Sequence, residues 1–459
     1  MIGTRVEHPT YGPGQIVALF RNGEEWMVRF DSGLRFRRPR QEFNGQMPNT
    51  PTPAAVFAPT PMTPSQLDAR SLIEALRVGV APAHHAQELT IGLESERASL
   101  GSALVQAHQR GGDVRAIIGE YGYGKSHIVE LTAQEALQRK FLVASVSLDL
   151  QELPPHRAFD IYGALMRGLR YPESDERGLG PLLQAVAGVP RLRDELRELA
   201  PTENDPLVVG LDALSSITST RQQTAWQNWL MGGPRAKSMN KATPRGVKFP
   251  SIYRQGNNAR QMSYLLSGVS VLARLAGYSG LCVLIDEAES YSLLLPYQQP
   301  KAALFFSAVI HAALGDERSH LSAADLPQHH RRDYPPAYGD RQSLFFLFTI
   351  TRSDNRLPLE DWLDDEKVLA LDPHHTPQEI GQFLEQVMGY HALAYGYEVG
   401  ERQRQVRRGA AEHLAQGMRN DRLNIRGVVR LAVELYDLLY LHPEYEVAAL
   451  LDELRGQMR

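Results

Sequence analysis

The 459-residue chain has a single cysteine, Cys282. That excludes an intramolecular disulfide and a cysteine-rich zinc centre, and it fits a reducing compartment. The chain also lacks an excess of either charge: 49 Lys and Arg stand against 53 Asp and Glu, a formal net charge of −4 at pH 7. It is therefore not a polycation that coats nucleic acid or anionic membrane, and any nucleic-acid contact is local. No apolar run approaches the ~18 residues of a spanning helix, and the opening "MIGTRVEHPT" lacks the apolar stretch of a signal peptide. The expectation is a soluble cytoplasmic protein without a membrane partner. No repeat of solenoid period is visible.

What is present changes character along the chain. Residues 1–47 alternate short β-prone runs with Gly, Pro and Asn turn signals, as in "YGPGQIVALFRNGEEWMVRF", which predicts a small all-β barrel. Residues 48–66 hold six prolines between Pro48 and Pro64 and predict an extended tether. Over residues 67–370 apolar strands alternate with helices, the pattern of an α/β domain with a mostly parallel sheet. Residues 371–459 read as helical throughout, a lid domain. The apolar runs Val114–Ile118, Phe141–Leu148, Leu281–Ile285 and Leu344–Phe348 predict strands covered on both faces. Met262, Leu265, Leu266, Val269, Leu272 and Ala273 recur at helical spacing.

"RAIIGEYGYGKSHIVEL" satisfies G-x-x-x-x-G-K-[ST] through Gly119, Gly124, Lys125 and Ser126. A strand, a glycine-rich turn and a helix in that order make a phosphate cradle, because backbone N–H groups and the helix N-terminus converge on the anion. Gly119, Gly122 and Gly124 let the backbone approach, and Tyr121, Tyr123 and His127 are the flanking candidates for nucleotide binding. Lys125 is expected on the β- and γ-phosphates and Ser126 on Mg²⁺. The expectation is an ATP site with Mg²⁺.

"GLCVLIDEAES" ends an apolar strand in Asp286 and Glu287 and resembles a Walker B motif with an added glutamate. Asp286 is expected at the metal, and Glu287 is expected to deprotonate the attacking water. That glutamate favours hydrolysis over storage of the nucleotide. After the strand in "SLFFLFTITRSDN" stands Thr351, the chosen candidate for a polar γ-phosphate sensor of the kind AAA+-like ATPases place there, with Thr349 and Asn355 as alternatives and a satisfied turn residue as the plain reading. Arg426 opens a helix behind Asn424 and resembles a sensor-2 arginine of a helical lid; a surface arginine is the other reading. For an arginine reaching a neighbouring subunit, Arg318, Arg331, Arg332 and Arg341 stay equal candidates. The pairs His84-His85, His329-His330 and His374-His375 lack carboxylate or cysteine partners at metal-ligand spacing and read as solvated loop residues. Trp226 and Trp229 read as core.

"ALRVGVAP", "LTIGLESERASL", "IIGEYGYGKSH", "AGYSGLCVLIDEAES" and "NIRGVVRLAVELYD", in that order over roughly Ser71 to Tyr440, resemble the BrxD-like, BREX-type ATP-binding proteins, relatives of AAA+ ATPases in bacterial phage-defence loci. The resemblance implies a P-loop NTPase core, a helical lid, and an ATPase subunit working beside other proteins on DNA, with Gly92 or its neighbours contacting the base. Residues Gly3, Arg5-Val6, His8-Pro9, Tyr11-Gly12, Gly14 and "VRFDSG" resemble the Tudor/SH3-like barrels of CarD-type and UvrD-type proteins, which engage RNA polymerase. Arg35, Arg37, Arg38 and Arg40 with Phe36 suit phosphates or an acidic protein surface, or equally a solvated strand that blocks edge pairing.

Two functions of different class follow. One is an ATP-hydrolysing subunit, alone or as a homo-oligomer, remodelling DNA or a DNA-bound complex. The other is a nucleotide-dependent scaffold with little turnover, whose residues 1–47 recruit a polymerase, helicase or nuclease.

Overall fold

The computed structural model describes residues 2–31, 35–46, 62–202, 204–237, 239, 249–328, 333–339, 342–352, 356–371 and 375–458. The chain divides into two compact units, Met1–Thr63 and Pro64–Arg459. The candidates Arg331, Arg332, Arg341, Asn355, His329, His330 and His374 lie outside the described residues, as do residues 48–61 of the tether.

In the first unit, β1 (Arg5–His8), β2 (Gly12–Phe20), β3 (Glu25–Phe30), β4 (Arg35–Pro39) and β5 (Asn44–Gln46) form an antiparallel sheet of order β4-β3-β2-β1-β5. Alternate residues point one way, so Val6, Ile16, Trp26, Val28 and Phe30 pack with Phe43 into a small core. β4, with its arginines, is an edge strand of this sheet. Arg37 Nε donates to Glu25 at 2.6 Å and its guanidinium lies 4.3 Å from the Phe20 ring centroid. Arg38 donates to the Tyr11 hydroxyl at 3.0 Å, and Arg40 stacks on Trp26 at 5.5 Å. Three of the four arginines are thus engaged within their own sheet.

The second unit is built on a seven-stranded sheet. Its strands are β6 (Asp113–Gly119), β7 (Phe141–Ser147), β8 (Arg170–Tyr171), β9 (Ser174–Arg177), β10 (Gly280–Asp286), β11 (Leu344–Thr351) and β12 (Val368–Ala370), in the order β12-β6-β11-β10-β7-β8-β9. β12, β6, β11, β10 and β7 run parallel, and β8 and β9 extend the sheet antiparallel. Because β11 lies between β6 and β10, the phosphate-loop turn, the Asp-Glu pair and the threonines all emerge at one carboxyl edge. Ligands of open parallel sheets bind at that edge.

Helices cover both faces. In chain order they are α1 (Pro64–Arg77), α2 (Glu94–Arg110), α3 (Lys125–Gln138), α4 (Ala158–Arg167), α5 (Gly180–Ala187), α6 (Pro190–Leu199), α7 (Pro206–Ser216), α8 (Thr220–Leu230), α9 (Ala259–Leu275), α10 (Gln299–Leu314), α11 (Pro377–Tyr395), α12 (Glu401–Arg419), α13 (Ile425–Leu441) and α14 (Val447–Met458). Successive strand residues face opposite sides, so Ile117, Val143, Cys282 and Leu284 pack with α2 and α3 while Val114, Val283, Ile285 and Phe346 pack with α4, α9 and α10. Burial pushes the Cys282 thiol well above its ordinary value, which keeps it an inert core residue. Trp226 and Trp229 on α8 stand edge to face at 5.5 Å within the larger core. Arg318 is spent locally: it donates to Leu314 O at 3.0 Å and Gly112 O at 2.8 Å, closing the end of α10.

The helical domain differs from the expected boundary. α1, whose residues from 67 onward were expected in the ATPase core, packs Ala69, Leu72, Ile73 and Leu76 against α11 and α13, in one core with α12 and α14. Its spacing of apolar residues shows a face that must be buried but not which partner buries it. α11 begins with a capping box in which Thr376 Oγ1 accepts from Glu379 N at 3.2 Å and Glu379 accepts from Thr376 N at 2.6 Å, worth about 1 kcal/mol. Among the described residues no helix is long and apolar enough to cross a membrane.

Candidate active site

A cavity of about 320 Å³ opens at the carboxyl edge of the sheet, between the phosphate loop and the helical domain. Its floor follows from local sequence. β6 ends at Gly119, the turn 120–124 follows, and α3 starts at Lys125 with Gly124 as N-cap at φ +88°. Gly122 has φ +84°, and a Cβ there would stand 2.8 Å from Asn424 Cγ, so both backbone conformation and space require glycine. Gly124, Lys125, Ser126 and His127 at the start of α3 line the cavity, and the free N–H groups of a helix N-terminus favour an anion.

Lys125 is 8% exposed and donates to Gly119 O at 3.0 Å and Glu120 O at 3.1 Å. Burial pulls its pKa below the ordinary lysine value, opposed by Glu289, Asp286, Glu120 and Glu287. Two carbonyls thus hold the buried ammonium at the cavity, in the field of these acids.

Opposite stand the acids. Asp286 ends β10 and accepts a hydrogen bond from the Thr349 hydroxyl and from Glu287 N at 3.0 Å. Glu287 adopts the left-handed conformation at φ +58°, which turns the chain sharply out of the strand and presents its side chain at the cavity. Burial, and then the neighbouring Asp286 charge, raise the Glu287 carboxyl above its ordinary value, while a hydrogen bond from Ser147 works the other way. Glu289 accepts from Thr351, and its other oxygen, Oε2, is buried without a hydrogen bond among the described residues. An orphaned carboxylate oxygen beside Asp286, with the Ser126 hydroxyl lining the same cavity, is a donor set that fits Mg²⁺.

The remaining wall comes from far along the chain. Val80, Ala81, Leu89, Ile91 and Leu93 from the segment between α1 and α2 meet Ile425 and Val429 of α13 and form an apolar lining. Arg426 also lines the cavity, where its guanidinium hydrogen-bonds the Tyr121 hydroxyl and lies 4.9 Å from the Tyr121 ring centroid. Asn424 caps α13 by accepting from Gly427 N at 3.0 Å and donates to Tyr121 O at 3.4 Å, so the helical domain grips the phosphate loop directly. His127 is half-buried, and burial pulls its pKa down to about 4. Thr90 Oγ1 gives its proton to Ala86 O at 2.7 Å and so accepts from His127 Nε2 at 3.0 Å, joining the apolar segment to α3.

At residues 65–188 the chain matches the model of a family described as BREX system ATP-binding protein BrxC/D. No curated protein matches. Among solved structures, the Walker-type ATPase PABY2304 of Pyrococcus abyssi is similar at 12% identity and a TM-score of 0.29, over 80% of this chain and 76% of that chain. The family match contains the phosphate loop and ends well before β10, so the parts assigned to Asp286, Glu287, Thr351 and Arg426 rest on geometry.

Of the candidate residues, Tyr121, Gly122, Tyr123, Gly124, Lys125, Ser126, His127, Asp286, Glu287, Thr351 and Arg426 all border the cavity. Gly119 and Gly92 do not. Gly119 contributes the carbonyl that holds Lys125. Gly92, at φ +64°, lies behind the wall, where a Cβ would stand 2.9 Å from His375 Nδ1 and 3.1 Å from Glu379 Oε1; its neighbours Ile91 and Leu93 face the cavity instead. The two threonines divide their work: fully buried Thr349 holds Asp286, and Thr351 lines the cavity and donates to Glu289.

Several site residues escaped the sequence reading. Glu289, the third acid of "DEAES", had a readable signal, a carboxylate two positions beyond Glu287. Asn424 was taken only as a cap, and His375 only as a loop histidine. His84 and His85 need correcting outright: Asp68 supplies them a carboxylate at 3.1 and 3.0 Å, from a helix sixteen residues back.

Proposed function

We propose that the chain binds and hydrolyses ATP as the nucleotide-driven subunit of a BREX-like bacterial phage-defence assembly on DNA. One observation carries the reading: Lys125, Ser126, Asp286, Glu287 and Glu289 border a single cavity whose opposite wall is apolar. That division suits a triphosphate at one end and a purine at the other. The match of residues 65–188 to a BREX ATP-binding family supports the nucleotide and the setting. The strand inserted between β6 and β10, with Thr349 and Thr351 at its end, supports an AAA+-like core.

In this reading the turn 120–124 and Lys125 hold the phosphates, and Ser126 and Asp286 hold Mg²⁺, with Glu289 beside them. Mg²⁺, when bound, neutralises charge accumulating on the β- and γ-phosphate oxygens. Glu287 takes the proton of the attacking water; its raised pKa strengthens it as a base once deprotonated. Arg426 leaves Tyr121 for the γ-phosphate as the helical domain closes. The partner is DNA or a DNA-bound protein complex, with residues 1–47 engaging a helicase, nuclease or RNA polymerase.

A second reading makes ATP a clamp with little turnover. It is favoured by Asn424 and Arg426, which already bind the helical domain to Tyr121. ATP turnover by wild type, Lys125→Ala and Glu287→Gln, with and without duplex and single-stranded DNA, separates the two. Hydrolysis stimulated by DNA and abolished by both substitutions is expected. Negligible wild-type turnover under every condition, with ATP still changing the oligomeric state, would leave the clamp.

A further inference from the structure

Between α1 and the apolar wall of the cavity, the 3₁₀ turn Ala83–His85 sets two adjacent imidazoles against one carboxylate. His84 Nε2 stands 3.1 Å from Asp68 Oδ1, and His85 Nε2 stands 3.0 Å from Asp68 Oδ2. Donor atoms of all three lie within 4.8 Å of one another. Four ligands around a tetrahedral Zn²⁺ at about 2.0–2.1 Å stand roughly 3.3 Å apart. The two histidine–aspartate distances approach that value, within a 4.8 Å span for the whole set.

The hydrogen bonds behind His85 fix which of its nitrogens faces Asp68. The Tyr390 hydroxyl gives its proton to Glu88, so its oxygen accepts from His85 Nδ1–H at 3.2 Å; Glu88 Oε2 itself is 3.5 Å away. Nε2 is then the ring nitrogen that faces Asp68, so that His84 and His85 turn two imidazole nitrogens to one carboxylate. The His85 side chain is 9% exposed, and its packing holds the ring in that orientation. A carboxylate and a hydroxyl behind a ligating histidine orient the ring and raise its basicity. Asp68 and His84 are 47% and 62% exposed, which leaves the outer side open to water as a fourth ligand.

We infer that Asp68, His84 and His85 form a binding site for a divalent transition metal, Zn²⁺ by donor type, that pins α1 to the wall of the nucleotide cavity. Two imidazoles and one carboxylate suit Zn²⁺ and its first-row neighbours and disfavour Mg²⁺ and Ca²⁺, which take oxygen ligands. The pinned turn also touches α3: the Gln134 side-chain amide donates to Ala83 O, and Ala83 and Leu89 line the cavity. The metal therefore ties the helical domain to the helix that follows the phosphate loop. The inference does not depend on ATP hydrolysis.

The test is calorimetric titration of Zn²⁺ into the EDTA-stripped, nucleotide-free full chain. One equivalent is expected to bind, with affinity weakened at least about tenfold by His84→Ala or Asp68→Asn and also by Glu88→Gln, which removes the group behind His85. Asp286→Asn, in the other acidic cluster, should leave the affinity within about twofold. Zn²⁺ should raise the thermal midpoint of wild type and not of the Asp68→Asn, His84→Ala double variant. The exposure of His84 and Asp68 makes that variant tolerable to the fold, with circular dichroism as the check. No binding at about 100 μM Zn²⁺, binding undiminished in the double variant, or binding lost through Asp286→Asn would each overturn the inference.

Discussion

The two ends of the cavity are built in opposite ways. The phosphate end comes chiefly from two short continuous stretches, 121–127 and 286–289, each following a strand and the turn that leaves it. The apolar end is assembled from the α1–α2 segment and α13, more than three hundred residues apart. Charge and backbone conformation dominate at the first, packing between helices at the second. Substitutions at the first end should therefore act on chemistry and phosphate affinity, and substitutions at the second on affinity alone.

Lys125→Ala gives the sharpest contrast. Losing a charged donor to phosphate costs about 1.5–3 kcal/mol in binding, an ATP affinity weaker by about 10- to 150-fold by equilibrium dialysis, with turnover lost as well. Gly122→Ala comes next: left-handed backbone costs a side chain about 1–2 kcal/mol, and the methyl group presses on Asn424, so ATP affinity should fall roughly tenfold and the helical domain should loosen. At the apolar end, Val429→Ala removes methyl groups worth about 1 kcal/mol, so KM for ATP should rise about fivefold with kcat unchanged. A fall in kcat instead would dissolve the distinction between the two ends.

Two pH dependences sharpen it further. Glu287 must be deprotonated to act, and its pKa is raised, so kcat/KM should fall on the acid side at a pH above that of an ordinary glutamate. His127 is held neutral with a pKa of about 4 against 6.5 when unfolded. The unfolded chain then binds more protons between those values, so His127 contributes stability that is present above pH 6.5 and lost as pH falls toward 4. Chemical denaturation of wild type and His127→Gln across that window measures the difference.

The same contrast explains what was legible in the sequence. Strands β6, β7, β10 and β11 could be read because runs such as Leu281–Ile285 are buried on both faces, and the phosphate loop could be read because its chemistry demands glycine, lysine and serine at set spacing. α1 was read with the ATPase core, whereas it packs with the C-terminal helices, since Leu72, Ile73 and Leu76 mark a buried face without naming the helices that bury it. Gly92 or its neighbours were expected at the base; of that segment Ile91 and Leu93 line the cavity and Gly92 does not. Asp68 and the His84-His85 pair stayed invisible as a cluster for the same reason as the apolar wall: only the packing of α1 brings the carboxylate to the imidazoles.

The central claim is that Glu287 activates water in a site that otherwise holds ATP without it. The most direct measurement is the fate of ATP bound to Glu287→Gln, followed through a single turnover beside wild type. The account predicts ATP bound with near wild-type affinity and cleaved at least about a hundredfold more slowly. Cleavage by Glu287→Gln at the wild-type rate would contradict it.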